Sequence, residues 1–275
     1  MNKLDLSSKG AGVVGGIVGA FVGLPGGPAA SIGGAAVGSL VADALKDFAS
    51  RMLSGRERVR LDSATSYIAD GIEQELAAGR VVRQDDFFEG DANFSSSGAE
   101  LLEGVLLKCK AQYQEKKVRL IANIFKVVAF DAAISAQMAY QVLNYSERLT
   151  YQQLCIIAFY GRKEEFEGFQ ILNEIVHFYS SVLGQDSWAC VRNLFEFVEQ
   201  GVLEAKDGTG VPGEYAAINP GKLQLAIRGH TFFKLLGLNE VLPFDILQSM
   251  HPLEYKKSWG ISTLDTVNGV KSVIS

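Results

Sequence analysis

The alternation of apolar and polar residues predicts helices along most of the chain. Ser54-x-x-Glu57 has the form of a capping box, so one helix should stop near Leu53 and another run to about Ala78, ended by Gly79. A polar connection over 80–98 follows. Ser97-x-x-Glu100 predicts a further helix with an inward stripe of Leu101, Leu102, Val105, Leu106 and Cys109. A second stripe (Val118, Ile121, Ile124, Phe125, Val128) continues it to about Ala129. Asp131 is placed to cap a helix with Ile134, Met138, Val142 and Leu143 inward. Thr150-x-x-Gln153 caps the next, with Leu149 and Leu154 set for a hydrophobic staple. Phe159, Phe166, Phe169, Phe178 and Tyr179 read as aromatic core.

The last third changes character. Trp188, Val191, Leu194, Phe195 and Val198 form a helical stripe ending at Gly201. Strands are expected at Val202–Lys206 and Lys222–Arg228 around a loop over 207–221, and helix resumes at Thr231–Leu236, stopped by Gly237. Helix, strand, loop, strand is a winged-helix pattern. A DNA-reading version exposes basic and amide side chains on its recognition helix. Here Arg192 and Asn193 share the outer face with Glu196 and Glu199. The expected wing balances Lys206, Lys222 and Arg228 against Glu204, Asp207 and Glu214. A protein-interaction role is expected rather than nucleic-acid binding. Residues 256–275 read as a weakly structured tail.

The N-terminal segment obeys a different pattern. No charged residue occurs in the 33 positions between Lys9 and Asp43, and 11 of the 29 glycines fall within residues 10–38. Pro25, Gly26, Gly27 and Pro28 form a hinge that no helix can cross, which predicts two arms. Gly15, Gly19 and Gly23 lie four apart in the first arm, as do Ala30, Gly34, Gly38 and Ala42 in the second. Residues four apart share one helix face, so each arm presents a groove of small residues. In lipid, such faces let helix backbones approach closely. In water each glycine weakens a helix by up to ~1 kcal/mol, so close backbone contact, not propensity, explains the pattern. Each arm, at about 14–17 residues, would be roughly 21–25 Å long as helix, against ~20 residues for a comfortable bilayer span. Three readings stay open: a short membrane-entering hairpin, a hairpin buried until a trigger releases it, or permanently buried helices. Lys46, Arg51, Arg56, Arg58 and Arg60 follow, against Asp47 and Glu57. Such a basic flank suits anionic headgroups on the cytoplasmic side, and equally an ordinary solvated helix face.

Composition adds exclusions. At 275 residues, 48% hydrophobic and net charge −5, the chain is neither a disordered polymer nor a general nucleic-acid binder. Cys109, Cys155 and Cys190 are odd in number and widely spaced, as expected of buried thiols in a reducing cytosol. Lys3 and Lys9 before an apolar run suggest a signal peptide, but the glycines, the prolines and the missing cleavage site argue against one. Gly10-Ala11-Gly12-Val13-Val14-Gly15 fits G-x-G-x-x-G without the preceding strand or the acid about 20 residues on that a dinucleotide site requires. His177, His230 and His251 are scattered. Glu174-x-x-His177 has a di-iron helix spacing but lacks the companion motifs. Arg228, His230 and Thr231 could form a polar cluster at a strand end. No catalytic set, metal or cofactor is expected.

The zipper positions 15, 19, 23 and 30, 34, 38, 42, joined to a helical body over Leu101–Asp131 and Glu147–Gly161 and a winged-helix-like end over Leu194–Leu236, give the chain a family likeness. It resembles bacterial abortive-infection and anti-phage effector proteins that act on membranes. The expected architecture is mainly α: a glycine-zipper hairpin with its basic flank (1–53), a helical body (54–183), a winged-helix-like α+β subdomain (184–255) and a tail (256–275). The resemblance implies a cytoplasmic protein that relocates to the inner membrane. Its implied partners are a sensor or inhibitor protein, the membrane and further copies of itself.

Overall fold

The computed structural model describes residues 53–89, 95–177, 184–206 and 217–254, and these are mainly helical. The expected zipper arms, their hinge and the tail lie outside the described residues. The chain forms two compact units and passes between them at residues 155/156, 229/230 and 241/242.

In the first unit, α1 (Gly55–Ala77), α2 (Ser97–Ala111), α3 (Lys116–Val128) and α4 (Ala136–Arg148) are followed by the opening turn of α5 (Tyr151–Gly161). The segment His230–Val241 also belongs here. Helix α3 packs against α1, α2 and α4. It buries Val118, Leu120, Ile121, Ala122, Ile124, Phe125 and Val128 on one broad face, while Lys116 and Arg119 are exposed on the opposite side. So broad an apolar face packs against several neighbours at once, and each large apolar side chain contributes about 1.5–3 kcal/mol on burial.

Local signals place the helix ends, with three displacements. Ser54 and Glu57 make the expected reciprocal capping box. Thr150 and Gln153 do the same, with Leu149 and Leu154 buried beside them. At α2 the cap is Ser96, not Ser97: its hydroxyl accepts from the amide of Ala99, while the Glu100 carboxylate accepts from the Tyr140 hydroxyl. At α4 the cap is Ser135, which accepts from the Met138 amide. Asp131 instead accepts from Ala133 in the preceding turn, and Met138, expected inward, is 39% exposed. The stripe from Leu101 to Val128 is one pattern but two helices. Gln112 turns the chain out of α2, its side chain accepts from the Gln114 amide, and Gln114 in turn accepts from the amide of Tyr151. Side-chain amides here offer the backbone an alternative that apolar periodicity does not reveal.

The connection after α1 is less polar in space than in sequence. Val82 and Phe87 are buried, and so is Arg83. The Arg83 guanidinium meets Asp85 through two bonds, lies 4.1 Å from the centre of the Phe87 ring, and donates to the carbonyls of Val128 and Ile134. A cation on the last carbonyls of α3 matches the negative end of that helix.

The second unit begins with the rest of α5. Phe159 stacks on Phe166 at 5.8 Å and meets Phe169 edge-on at 5.7 Å. Phe178 and Tyr179 lie outside the described residues. The buried Tyr160 donates to the carbonyl of Pro220. A short strand β1 (Val176–His177) is followed by α6 (Gln185–Glu199), β2 (Leu203–Ala205), β3 (Ala217–Ile218) and β4 (Leu223–Leu225). Strand β1 pairs with β3, and β2 with β4, both antiparallel. Helix α6 ends at Gly201 in the left-handed conformation (φ 65°) and packs on β2 and on the turn His251–Leu253 that follows α8 (Pro243–Met250). The strand expected over Lys222–Arg228 is shorter, because α7 (Ile227–Leu235) starts four residues before Thr231. Ala226 donates to the carbonyl of Val202, so the chain is already turning there.

Gly79 (φ 81°) and Gly237 (φ 59°) both require left-handed backbone, but a Cβ at Gly79 would meet open space whereas one at Gly237 would lie 2.8 Å from the Asn123 amide. Gly79→Ala is therefore expected to cost about 1 kcal/mol, the ordinary left-handed penalty. Gly237→Ala should cost about 3 kcal/mol, because steric overlap adds to it. Urea unfolding of both variants checks the difference; equal losses would contradict it.

Candidate functional site

Of the residues singled out from sequence, Gly15, Gly19, Gly23, Ala30, Gly34, Gly38, Ala42, the hinge Pro25–Pro28, Lys46 and Arg51 lie outside the described residues. Three of the basic flank are described, all in the first turns of α1. Arg56 and Arg58 are exposed. Arg60 is half-buried and donates to the carbonyl of Lys110 at the end of α2 (3.2 Å), with its Nε left without a hydrogen-bond partner. The structure thus separates Arg60, which helps join α1 to α2, from Arg56 and Arg58, which face solvent.

A second polar cluster, which sequence reasoning did not find, lies in the same unit. Tyr67 of α1 faces Asn123 and Lys126 of α3. Its hydroxyl lies 2.9 Å from Asn123 Oδ1 and 2.9 and 3.0 Å from the two carboxylate oxygens of Glu240. Lys126 Nζ donates to the Tyr67 oxygen (3.2 Å) and to Glu240 (3.4 Å). The guanidinium of Arg119 lies 5.3 Å from the centre of the Tyr67 ring. Asn123 donates its amide to the carbonyl of Leu235 (3.0 Å), the C-terminal residue of α7. Gly71, one turn beyond Tyr67, supplies the space: a Cβ there would overlap the Lys126 stem. Burial, reinforced by the hydrogen bond to Glu240, pushes the Tyr67 hydroxyl well above its usual range. It stays protonated and acts as a donor, not as a base or a nucleophile. The Lys126 ammonium and the phenol O–H converge on the Glu240 carboxylate, an arrangement suited to holding an oxyanion, and Arg119 adds a second positive charge over the tyrosine ring.

The signal for this cluster was split. Tyr67 and Gly71 share a helix face, as do Asn123 and Lys126, but Glu240 is 173 residues from Tyr67 and no local pattern links them. A second ion pair ties the same returning segment down, Asp131 to Lys234 (2.5 Å).

Other candidate chemistry does not assemble. Glu174 and His177 are not on a helix: His177 is in β1 and both are exposed. His230 is exposed, and His251 lies 3.7 Å from Glu254. Among the described residues no three metal-ligating side chains gather. All three cysteines are buried and none is in a disulfide, and burial pushes the Cys109 and Cys190 thiols up to about 12, so neither of these two presents a thiolate near neutrality. Lys117, buried on α3, donates to the carbonyl of Glu147, and desolvation lowers its pKa. On the expected recognition helix, Arg192 bonds Glu196 and lies against the Trp188 ring. Arg228 donates to the carbonyl of Gln200. Among the described residues no helix is long and apolar enough to cross a membrane.

Comparison with protein-family models, curated proteins and solved structures gives no match.

The hydrogen bond from Lys234 holds the Asp131 carboxyl below its ordinary 3.8. A depressed aspartate stabilises the folded state above its unfolded pKa, and that contribution disappears as pH falls through the folded value. Asp131→Asn is expected to flatten the stability loss below about pH 4 and to cost at most about 1 kcal/mol at pH 7, since the Lys234 side chain is 58% exposed. Thermal unfolding between pH 2 and 7 reads both; an unchanged acid limb would contradict the assignment.

Proposed function

We propose that the protein is a membrane-disrupting effector of bacterial anti-phage defence. The Gly-rich hairpin inserts into, or is released toward, the inner membrane, packs against hairpins of other copies through its small-residue faces, and permeabilises the bilayer. The observation that carries this reading is the uncharged 33-residue segment with small residues repeated every four positions in two arms around Pro25–Pro28. Such faces favour backbone contact in lipid and disfavour isolated helix in water. Two features support it. Arg56 and Arg58 are exposed at the start of α1, within reach of anionic headgroups once the preceding segment enters a bilayer. The first unit buries its own apolar surface around α3 and so offers a folded carrier for the hairpin. The protein would reside in the cytoplasm before activation, held by a sensor or inhibitor protein.

A second reading, a soluble helical adaptor or regulator, is favoured by the second unit. The run α6, β2, β4 has the order of a winged helix, and Arg192 and Arg228 are engaged within it. That points toward protein partners rather than duplex DNA.

Leakage of dye from anionic liposomes separates the two. The wild-type chain is expected to release dye under activating conditions, and Gly19→Leu and Gly34→Leu to release several-fold less, because a leucine holds the backbones apart. Equal release by all three, or none by the wild type, would overturn the membrane reading and leave the adaptor.

A further inference from the structure

The Tyr67 cluster has properties that a plain ion pair lacks. Its donors do not depend on Glu240 for their order. The Tyr67 hydroxyl carries one proton and can satisfy one acceptor at a time, yet two acceptors lie within 3.0 Å of it, Asn123 Oδ1 and the Glu240 carboxylate. If the Glu240 side chain swings out, the proton passes to Asn123 and Lys126 still donates to the phenol oxygen. Asn123 is fixed by the Leu235 carbonyl and by the close approach of Gly237. With Glu240 swung out, Tyr67, Asn123 and Lys126 each keep a hydrogen-bond partner.

The backbone beside Glu240 does not need to move. Leu238 and Val241, on either side, are buried at 0% and 4% exposure, whereas the Glu240 side chain is 45% exposed. The side chain alone can leave. What remains is a phenol O–H and the ammonium of Lys126, with the Arg119 guanidinium beside the ring. Lys126 pairs with Glu240 directly, and Arg119 holds a second positive charge over the Tyr67 ring, so with the carboxylate gone the local charge favours an incoming anion over an empty site.

We propose that Tyr67, Lys126 and Arg119 form an oxyanion-binding site for a phosphate group, and that the Glu240 carboxylate occupies it as a built-in competitor. The phosphate can come from a soluble metabolite or from a lipid headgroup. This inference does not rest on the membrane reading, because binding of free phosphate is measured without a bilayer.

A site occupied about nine-tenths of the time by its own carboxylate binds a ligand about tenfold more weakly than an open one. Titration of the full chain with inorganic phosphate, followed by calorimetry, is therefore expected to show about tenfold tighter binding in Glu240→Ala than in the wild type. Glu240→Gln, which keeps the volume and removes the charge, should give a smaller gain in the same direction. Adding Lys126→Met to Glu240→Ala should abolish the gain. Adding Gly71→Ala should do so too, without touching a charged group, by displacing the Lys126 stem. Thermal melts identify any variant that fails to fold, and the remaining pairs still decide the matter. Binding no tighter in either Glu240 variant, or a gain that survives both Lys126→Met and Gly71→Ala, overturns the proposal. With the site established, phosphatidylglycerol vesicles that displace phosphate from Glu240→Ala assign the lipid source, and retention of phosphate assigns a soluble one. Liposome leakage can fail while phosphate binding succeeds, and the reverse, so the two readings stand or fall separately.

Discussion

Burial of the broad apolar face of α3 is the constraint from which the rest of the first unit follows. A 13-residue helix with Val118, Leu120, Ile121, Ile124, Phe125 and Val128 inside has little room for polar groups, and each one it carries must be answered. Lys117 is answered by the carbonyl of Glu147, Asn123 by Leu235 and Tyr67, and Lys126 by Tyr67 and Glu240. The last carbonyls of the helix are met by Arg83 from the loop after α1. These partners come from α1, α4 and the segment 230–241, so the polar demands of one buried helix fix the register of its neighbours. Burying α3 in an apolar sleeve would satisfy its hydrophobic surface equally well, but would leave those neighbours free to slide.

The segment 230–241 shows how far this reaches. Phe232, Leu235, Leu236, Leu238 and Val241 are buried, which supplies most of its attachment. The pairs Lys234–Asp131 and Glu240–Lys126 involve half-exposed side chains and add little energy of their own. They act on position more than on stability: with the apolar anchors in place, they select which face of the segment meets α3. An interaction that is cheap to open and well defined when closed suits a group that must give way to a ligand. That is the physical distinction between Glu240 and Arg83. The guanidinium of Arg83 is buried with four acceptors around it, and opening it would strand them.

Local chemistry was readable in proportion to how local it is. The capping boxes at Ser54 and Thr150 lie where the three-residue spacing puts them, and Gly79, Gly201 and Gly237 each take the left-handed backbone that ends a helix. Where two serines adjoin, as at Ser96 and Ser97, spacing alone does not choose between them; Glu100 is drawn to Tyr140, and the box loses its second half. Asp131 and Ser135 pose the same ambiguity, resolved when Lys234 engages the aspartate from a hundred residues away. The Tyr67 cluster was illegible for the same reason, since Tyr67, Asn123 and Glu240 come from three distant parts of the chain. The order of a helix followed by short strands over 185–225 was visible as a pattern of elements, but the shortness of β4 was not, because Ala226 turns onto the Val202 carbonyl.

Glycine is used in two opposite ways along this chain. In the described body it is sparse and positional: Gly71 makes room for the Lys126 stem, Gly229 lies against the carbonyl of Val202, and Gly237 fits beside Asn123 where no side chain could. Each of these is a single close approach, and neighbouring residues carry the packing. In residues 10–38 glycine is periodic in sequence, recurring with alanine at four-residue intervals, the spacing that places residues on one face of a helix. Packing helix on helix, as proposed for this segment, uses that one face whether the segment enters lipid or is buried in protein, so the repeat bears on the kind of partner more than on the medium.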